Sequence, residues 1–279
     1  MPDALSRRRS DALAYAALFA VSAIVLFPFL WIVLTSFKPE SELYAIPPTL
    51  VPQQPTLDHY GALLGESDFP SFFLNSAIVA PVSTGLALLL GAPAAYGFAR
   101  FRYRLSWLLF GLIVVARMSP YVTLTIPLFV VMRSLGLLND RLALIVTYLA
   151  IELPLIIWIL EAFFREVPRE LEEAAEIDGM GPLGVFLRIV LPLSLPAVSV
   201  AAALGLIAAW NEFIFALALT RTPEAQTIPV GLAGYVTSFQ IFFGPMSAGA
   251  TLYALPVLAF TVLAQRGIVK GLATGGVRG

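Results

Sequence analysis

Residues 173–192 read EAAEIDGMGPLGVFLRIVLP. The first part of this stretch, from Glu173 to Gly179, is acidic and rich in alanine, and long apolar runs lie on both sides of it. Hydrocarbon does not favour such a segment, because ionised side chains are costly inside a bilayer. The stretch therefore marks a place where the chain leaves the membrane, and it predicts a surface on which another protein docks.

The composition of the chain predicts a membrane protein. Of its 279 residues, 59% are hydrophobic and 13% are charged, whereas soluble domains have about 45–50% and about 25%. A helix needs roughly 20 apolar residues to cross the hydrocarbon core. We therefore predict an all-α polytopic membrane protein that forms a single transmembrane domain over 1–279, with about six spans, near 12–35, 72–98, 106–132, 141–164, 188–219 and 246–268.

The distribution of Lys and Arg predicts the orientation of these spans, because such residues concentrate in cytoplasmic segments. One side of the predicted membrane collects Arg7–Arg9, Arg100, Arg102, Arg104, Arg165, Arg169, Arg188, Arg266, Lys270 and Arg278. The segment 36–71 is acidic and fits the outside. Both termini and the segment 165–188 are therefore predicted to be cytoplasmic.

Several kinds of chemistry are not supported by the sequence. It contains no Cys and one His, so disulfides are excluded and little is left for a transition-metal site. The phosphate-binding pattern G-x-x-x-x-G-K-[ST] and the pattern H-E-x-x-H are both absent. We expect a non-catalytic chain without its own cofactor or metal, and we expect no nucleic-acid partner.

A short helix near 169–179 is predicted within the acidic stretch. Pro168 is suited to open a helix, and Gly179 can adopt the left-handed conformation that ends one. One face of this helix is small and nearly flat, and it carries Leu171, Ala174, Ala175 and Asp178. A helix lying on the membrane surface is the alternative, but such helices carry basic residues and bulky apolar ones. The pattern favours a groove on another protein.

Small residues recur at four-residue spacing in two spans, and this spacing lets helix backbones approach closely. The rows are Ser83, Ala87, Gly91 and Ala95 in the second span, and Ala197, Ala201, Gly205 and Ala209 in the fifth. We expect them to pack within the subunit, although an interface between subunits would use the same pattern.

The segment from Glu173 to Pro192 resembles the signature loop of the membrane subunits of binding-protein-dependent ATP-binding-cassette importers. The pattern is Glu-Ala-Ala, three residues, Gly, nine residues, Ile, one residue and Leu-Pro. The rest of the chain is similar to the carbohydrate branch, in particular to the smaller, G-type permease of maltose importers. The supporting pieces are Ile126-Pro127-Leu128, Gly136-Leu137-Leu138, Leu153-Pro154, Phe163-Phe164, Val167-Pro168, Trp210-Asn211-Glu212-Phe213 and the ending 271–279.

This resemblance implies the type I importer permease fold and a coupling helix seated in a cleft of a cytoplasmic ATPase. Glu173, Ala174, Ala175 and Gly179 would contact the ATPase, and Asp178 shares their face. The resemblance also implies a second homologous permease, two ATPase subunits that bind ATP and Mg²⁺, and an extracytoplasmic sugar-binding protein. The location would be the cytoplasmic (inner) membrane of a bacterium or archaeon. The C-terminal tail 271–279 would either reach the ATPase or stay disordered.

Polar residues within predicted spans are the candidates for contact with a sugar, because such residues tend to face a bundle interior or a watery cavity. Arg117 and Glu152 lie near mid-depth of adjacent antiparallel spans, where they could pair with each other or contact cargo. Asn75 is a further candidate near the outer end of the second span. Sugar rings are bound by aromatic faces together with planar polar groups, and such a cluster is formed by Trp210, Asn211 and Glu212.

The external segment 220–246 contains Tyr235, Phe239 and Gln240. These residues would either rest on the membrane interface, where aromatic residues are common, or, as the resemblance implies, contact the docked binding protein.

We therefore expect a permease subunit of an ATP-driven importer of a di- or oligosaccharide. Two alternatives remain open. The same machine could carry a polyol or glycerol phosphate, or the chain could be a secondary transporter, which would show inverted repeats.

Overall fold

The computed structural model describes residues 2–101 and 104–275, and it describes side chains for residue 11, 13–101 and 104–262. The regular structure of this part is helical, with one isolated antiparallel bridge between Val236 and Ile241. Two compact units are present. Several residues named in the sequence analysis lie outside the described residues or side chains: Arg7–Arg9, Arg102, Arg266, Lys270 and the tail from residue 276 onward.

The first unit comprises Met1–Asp68 and Leu232–Tyr253. Its helices are α1 (Pro2–Ser36), α2 (Glu40–Leu43), α3 (Asp58–Gly65) and the beginning of α14 (Phe243–Gly275). The apolar side chains of α1 are exposed, with Phe19 at 77%. An apolar surface of this kind suits lipid rather than water.

Polar groups at the end of α1 are paired inside the first unit. Lys38 is 3% exposed and its ammonium group donates to the carbonyl of Thr49. It also lies 4.5 Å from the centre of the Trp31 ring. The His59 Nε2 atom is 2.8 Å from the carbonyl oxygen of Lys38. The segment that follows α1 is therefore a folded element.

The second unit comprises Phe69–Gly231 and Ala254–Gly279. It contains a five-residue π-helical turn at Phe186–Val190. Its other helices are α4 (Phe69–Arg100), α5 (Ser106–Met118), α6 (Tyr121–Ser134), α7 (Arg141–Glu166), α8 (Arg169–Ile177), α9 (Pro182–Val185), α10 (Leu191–Leu193), α11 (Leu195–Trp210), α12 (Ile214–Leu219), most of α13 (Ile228–Ala233) and the rest of α14.

Four helical segments of the described residues are long and apolar enough to cross a bilayer: Leu13–Ser36, Phe69–Arg100, Arg141–Glu166 and Phe243–Val262. Two further spans are possible if bent pairs of helices are counted. α5 and α6 meet at 100°, and the pair Pro182–Leu193 and Leu195–Trp210 meets at 78°. These positions correspond to the six predicted apolar segments. The third and fifth segments are broken, whereas the sequence predicts each as one span, with kinks at prolines that include Pro120 in the third.

Proline explains only part of this bending. Pro120 is the N-cap of α6 and lies at the break between α5 and α6. Other prolines lie inside helices that stay continuous, including Pro28, Pro81 and Pro154. Proline in a membrane helix is tolerated where neighbouring groups satisfy the freed carbonyl. The presence of a proline therefore does not by itself decide whether a span is interrupted.

The core of the second unit is the packing of α4 against α7, with α11 against both. The two rows of small residues are buried in this core, as predicted for packing within the subunit; Ala87, Ala95 and Ala201 are each 0% exposed. A Cβ atom on Gly91 would lie 2.9 Å from Ile156 Cγ2, and one on Gly205 would lie 2.8 Å from Thr84 Cγ2. Glycine is therefore needed at both crossings.

We predict that Gly91→Ala destabilises the protein, because Ile156 is fully buried and cannot move aside easily. Overpacking of this kind costs about 1–3 kcal/mol. Gly97→Ala is the matched control, since it lies on the same helix and nothing is within 4 Å of its added Cβ. Thermal unfolding in detergent should show a lower midpoint for Gly91→Ala than for Gly97→Ala. Equal midpoints would contradict the close-approach argument.

Candidate functional site

The acidic stretch forms the short helix α8. Pro168 is its N-cap, and the helix runs from Arg169 to Ile177. Gly179 has φ +87°, which is the left-handed conformation expected of it. The N–H of Met180 donates to the carbonyl of Ala175 at 3.0 Å, which closes the C-terminal turn. The positive φ of Gly179 turns the chain sharply away from the helix, as glycine does at many helix ends.

The outward surface of α8 contains most of the residues that were predicted to dock on a partner. Glu173, Ala174, Asp178 and Gly179 are exposed. Leu171 is 46% exposed and Ile177 is 87% exposed, and the sequence analysis assigned no docking role to Ile177. We call Leu171, Glu173, Ala174, Ile177 and Asp178 the α8 surface. It is acidic and apolar together, and exposed apolar side chains of this kind mark interaction sites when they cluster.

Ala175 was expected to share the outward face, and the structure corrects this expectation. It is 4% exposed and belongs to the buried core together with Tyr96 and Phe186. Helical periodicity groups Ala175 with Leu171 and Ala174 but does not say which part of that face turns inward. Its small side chain lets α8 lie close to α4 and to the π-helical turn.

Glu172 also faces inward, and its role was missed by the sequence analysis. One carboxylate oxygen accepts a hydrogen bond from Arg100 Nε at 2.5 Å, and the other accepts one from the Tyr96 hydroxyl at 2.8 Å. Arg100 also donates to the carbonyl of Val167 at 2.7 Å. The side chains of Arg100 and Glu172 are 8% and 9% exposed. This buried pair fastens α8 to the end of α4.

Arg117 and Glu152 do not pair in the structure. Arg117 lies at the break between α5 and α6, where its guanidinium donates to the Tyr121 hydroxyl and lies 5.8 Å from the centre of that ring. Glu152 is 2% exposed within the core, where Ser83 donates to its carboxylate at 3.5 Å. Of the two, only Arg117 is partly exposed.

The proposed aromatic and polar cluster at 210–212 is divided between core and surface. Trp210 is 2% exposed, and its ring lies 5.9 Å from both Phe73 and Phe260 in edge-on contacts. Glu212 is 6% exposed, and its carboxylate accepts from the N–H groups of Phe215 and Ala216 at 2.9 and 3.1 Å. Glu212 therefore satisfies two N–H groups in the first turn of α12, which have no partner within the helix. Asn211 alone among the three is exposed.

Asn75 is fully buried and holds a loop. Its amide nitrogen donates to the carbonyls of Pro223 and Gln226 at 3.0 and 2.7 Å. The neighbouring Ser76 hydroxyl accepts from the N–H of Ile228 at 3.0 Å. These contacts fix the loop 220–228 against α4. Asn75 therefore holds this loop in place. Its partners lie about 150 residues away in the chain, so the sequence around Asn75 gives no sign of this role.

Asn139 fixes the same loop from another side, and the sequence analysis did not identify it. Its side-chain oxygen accepts from the N–H groups of Arg221 and Thr222 at 2.8 and 2.9 Å. Asn139 has φ 62°, a left-handed conformation in which Asn is enriched. In the sequence, the position of Asn139 just before Asp140, the N-cap of α7, could have predicted its left-handed conformation.

The residues predicted to meet a binding protein form a tight turn in the first unit. The N–H of Thr237 donates to the carbonyl of Gln240 at 3.0 Å, next to the bridge between Val236 and Ile241. The Tyr44 hydroxyl donates to the carbonyl of Ile241 at 2.9 Å and supports this turn. Phe239 lies at the tip and is 100% exposed. Tyr235 is partly exposed and Gln240 is exposed.

Comparison with solved structures identifies the fold. The chain is similar to a subunit of a bacterial ABC transporter involved in the import of the acidic polysaccharide alginate, with a TM-score of 0.79 and 21% identity. The match covers 94% of this chain and 97% of the other. A second match is the MetNI methionine ABC transporter, with a TM-score of 0.61 over 71% of this chain and 93% of the other. The predicted importer permease fold is confirmed.

Comparison of sequences identifies the family. The sulfoquinovosyl glycerol transport system permease protein of Agrobacterium fabrum is 39% identical over 91% of this chain and 89% of its own length. The trehalose transport system permease protein of Mycobacterium tuberculosis is 38% identical over 93% and 94%. The trehalose/maltose transport system permease protein of Thermococcus litoralis is 35% identical over 93% and 94%. The family model for the inner membrane component of binding-protein-dependent transport systems matches residues 87–273, and the chain belongs to this family.

Proposed function

We propose that this chain is the permease subunit of an ATP-driven, binding-protein-dependent importer of a di- or oligosaccharide. The observation that carries the proposal is α8, a short helix whose outward surface is free to dock and whose inward side is fastened to a long membrane helix. The permease of an ATP-driven importer, when it has no phosphate-binding motif of its own, needs such a connection to a separate ATPase. ATP and Mg²⁺ would bind in that ATPase.

The α8 surface suits a groove on the ATPase. Leu171 and Ile177 offer apolar side chains, and Glu173 and Asp178 offer carboxylates. Between them, Ala174 keeps the centre of the surface low, so the helix backbone can lie close to the wall of a groove. Interfaces place apolar anchors at the centre and charged groups at the rim, which sets specificity and register.

Movement of the ATPase would reach the membrane through the inward side of α8. The Arg100–Glu172 pair joins α8 to the end of α4, and Ala175 packs in the same core. α4 in turn packs against α7 over much of its length. A force applied to α8 is therefore transmitted to the two helices that form the centre of the second unit. Rocking of these helices would open the transport path to one side of the membrane and then the other.

The remaining partners follow from the family and the predicted orientation. The importer would contain a second homologous permease, two ATPase subunits and an extracytoplasmic sugar-binding protein, with both termini of this chain in the cytoplasm. The exposed turn at Phe239, with Tyr235 and Gln240, is the proposed contact for the binding protein. An aromatic side chain at a rigid tip loses little conformational entropy on binding.

Asn211 and Arg117 are the proposed cargo contacts within the membrane. Asn211 is exposed at the break between α11 and α12, and Arg117 is partly exposed at the break between α5 and α6. Both can offer hydrogen bonds to sugar hydroxyl groups. Asn75, Glu152, Trp210 and Glu212 are buried by the chain itself, so we assign them to packing.

The proposed cargo class is supported by what the relatives are named for: trehalose in one, trehalose and maltose in another, and sulfoquinovosyl glycerol in a third. Because sulfoquinovosyl glycerol contains a glycerol group, cargoes that contain glycerol are tested as well.

We predict that Glu173→Lys leaves the protein in the membrane but removes the ATPase. The side chain is exposed, so folding should not change, whereas a reversed charge on the docking surface would bring like charges together across the interface, which is costly. About tenfold less ATPase should copurify with the tagged permease, as expected for an interface hot spot. Glu166→Lys is the matched control, because this exposed glutamate lies outside α8. Equal copurification with both variants would rule out docking at the α8 surface.

We predict that Arg100→Ala and Glu172→Ala separate ATP hydrolysis from transport. Each leaves a buried charge without its partner, which costs about 3–5 kcal/mol. The assembled importer should still hydrolyse ATP while sugar uptake falls. The double variant Arg100→Ala/Glu172→Ala should recover part of the thermal stability but little uptake. Full uptake by stably folded single variants would contradict the proposed role of this pair.

We predict that the complete importer, reconstituted in liposomes with its binding protein, takes up a disaccharide. Uptake of labelled trehalose, maltose, sulfoquinovosyl glycerol and glycerol phosphate is measured in parallel reactions, each with and without ATP. ATP-dependent uptake of either disaccharide supports the proposed cargo class. ATP-dependent uptake of glycerol phosphate alone would replace it.

A further inference from the structure

A cavity of about 510 Å³ lies where α4 ends, α5 begins and α7 leads into α8. Three arginines line it, namely Arg100, Arg165 and Arg169, and Phe98 and Phe101 supply an apolar part of its wall. Among the described residues that line the cavity, none is acidic. Its volume is in the range of cavities that hold small ligands.

The arginines differ in how much hydrogen-bonding capacity remains. Arg100 is committed through two of its nitrogens to Glu172 and to the carbonyl of Val167. Arg165 uses Nε for Glu161, and its two terminal nitrogens donate to no residue in the described part of the chain. Its side chain is 63% exposed. Terminal guanidinium nitrogens are therefore available at the wall of the cavity.

Arg169 makes no ion pair or side-chain hydrogen bond with the described residues. It is also the first residue of α8, where the helix dipole disfavours a cation. An anion bound between Arg165 and Arg169 would offset the unfavourable interaction between the Arg169 charge and the helix dipole. Arginine recognises phosphate through paired N–H groups in a fixed geometry, so a phosphate group fits these donors.

The position of the cavity along the helices indicates the source of such a phosphate. Ser106 lines the cavity and is followed by Trp107, which is 74% exposed. Exposed tryptophan in a membrane protein marks the level of the lipid headgroups. Leu108 and Leu109, one and two residues further into α5, are 40% and 43% exposed. The cavity therefore lies at headgroup depth, beside a surface that suits acyl chains.

We propose that this cavity binds the phosphate group of an anionic phospholipid. Arg165 and Arg169 would hold the phosphate, and Phe98 and Phe101 would contact the acyl region. The charge distribution predicts this end of the helices to be cytoplasmic, where the membrane surface is negative and basic pockets between spans bind anionic headgroups. The apolar wall favours a lipid over free phosphate, because free phosphate gains nothing from phenylalanine.

The test uses the purified full chain after delipidation in a neutral detergent. Phosphatidylglycerol or phosphatidylcholine is added, and the bound lipid is counted by native mass spectrometry. We expect phosphatidylglycerol to bind in preference to phosphatidylcholine. Arg165→Ala and Arg169→Ala should each weaken binding about fivefold, the effect of one arginine near an anionic surface. Arg169 is exposed and makes no ion pair with the described residues, so Arg169→Ala should fold. Arg165 pairs with the buried Glu161, so a thermal melt has to show that Arg165→Ala is folded before its binding is compared.

The matched control is Arg188→Ala, which removes an exposed arginine from the same predicted side of the membrane but outside the cavity. It should leave binding unchanged. An equal loss with Arg188→Ala would show general attraction to the charged surface and overturn the proposal. Equal binding of the two lipids would also overturn it. Displacement of bound phosphatidylglycerol by millimolar inorganic phosphate would instead assign the cavity to free phosphate.

Discussion

The absence of water in the hydrocarbon core is the constraint on which this structure depends. A polar group within a span has to find its partner inside the chain. Glu212 satisfies N–H groups at the start of α12, where the fifth apolar segment is broken. Asn75 satisfies two carbonyls of the loop 220–228. Several polar residues that resemble cargo contacts in the sequence therefore serve to make breaks and loops possible.

The same constraint explains why small residues dominate the core. Helices in lipid gain little from burying apolar side chains, so close van der Waals contact has to hold them together. Gly91 and Gly205 permit contacts with Ile156 and Thr84 that no larger residue would allow. The short helix α8 lies at the end of the resulting core of α4, α7 and α11. The Arg100–Glu172 pair is the point at which that helix is attached.

The sequence predicted the elements whose causes are local. Hydropathy located the apolar segments, and Pro168 and Gly179 marked the two ends of α8. Features with distant causes were missed. Pro120 marks a break of 100°, whereas Pro81 and Pro154 lie within continuous helices, so the presence of a proline does not by itself predict a break. Arg100 and Glu172 are 72 residues apart in the chain, and no local pattern joins them. The inward position of Ala175 likewise involves residues that are distant in the chain, among them Tyr96 in the same buried core.

The two sides of α8 depend on each other. A helix of nine residues is too short to be stable alone in water, and its acidic sequence adds repulsion between its own side chains. Its inward side supplies the missing stability through the Arg100–Glu172 pair and the buried Ala175. The outward side can then carry exposed residues that do not stabilise the fold, such as Ile177, and these would serve the proposed docking. The proposed transmission of force would need this arrangement, because a helix that frayed under load would absorb the movement instead of passing it to α4.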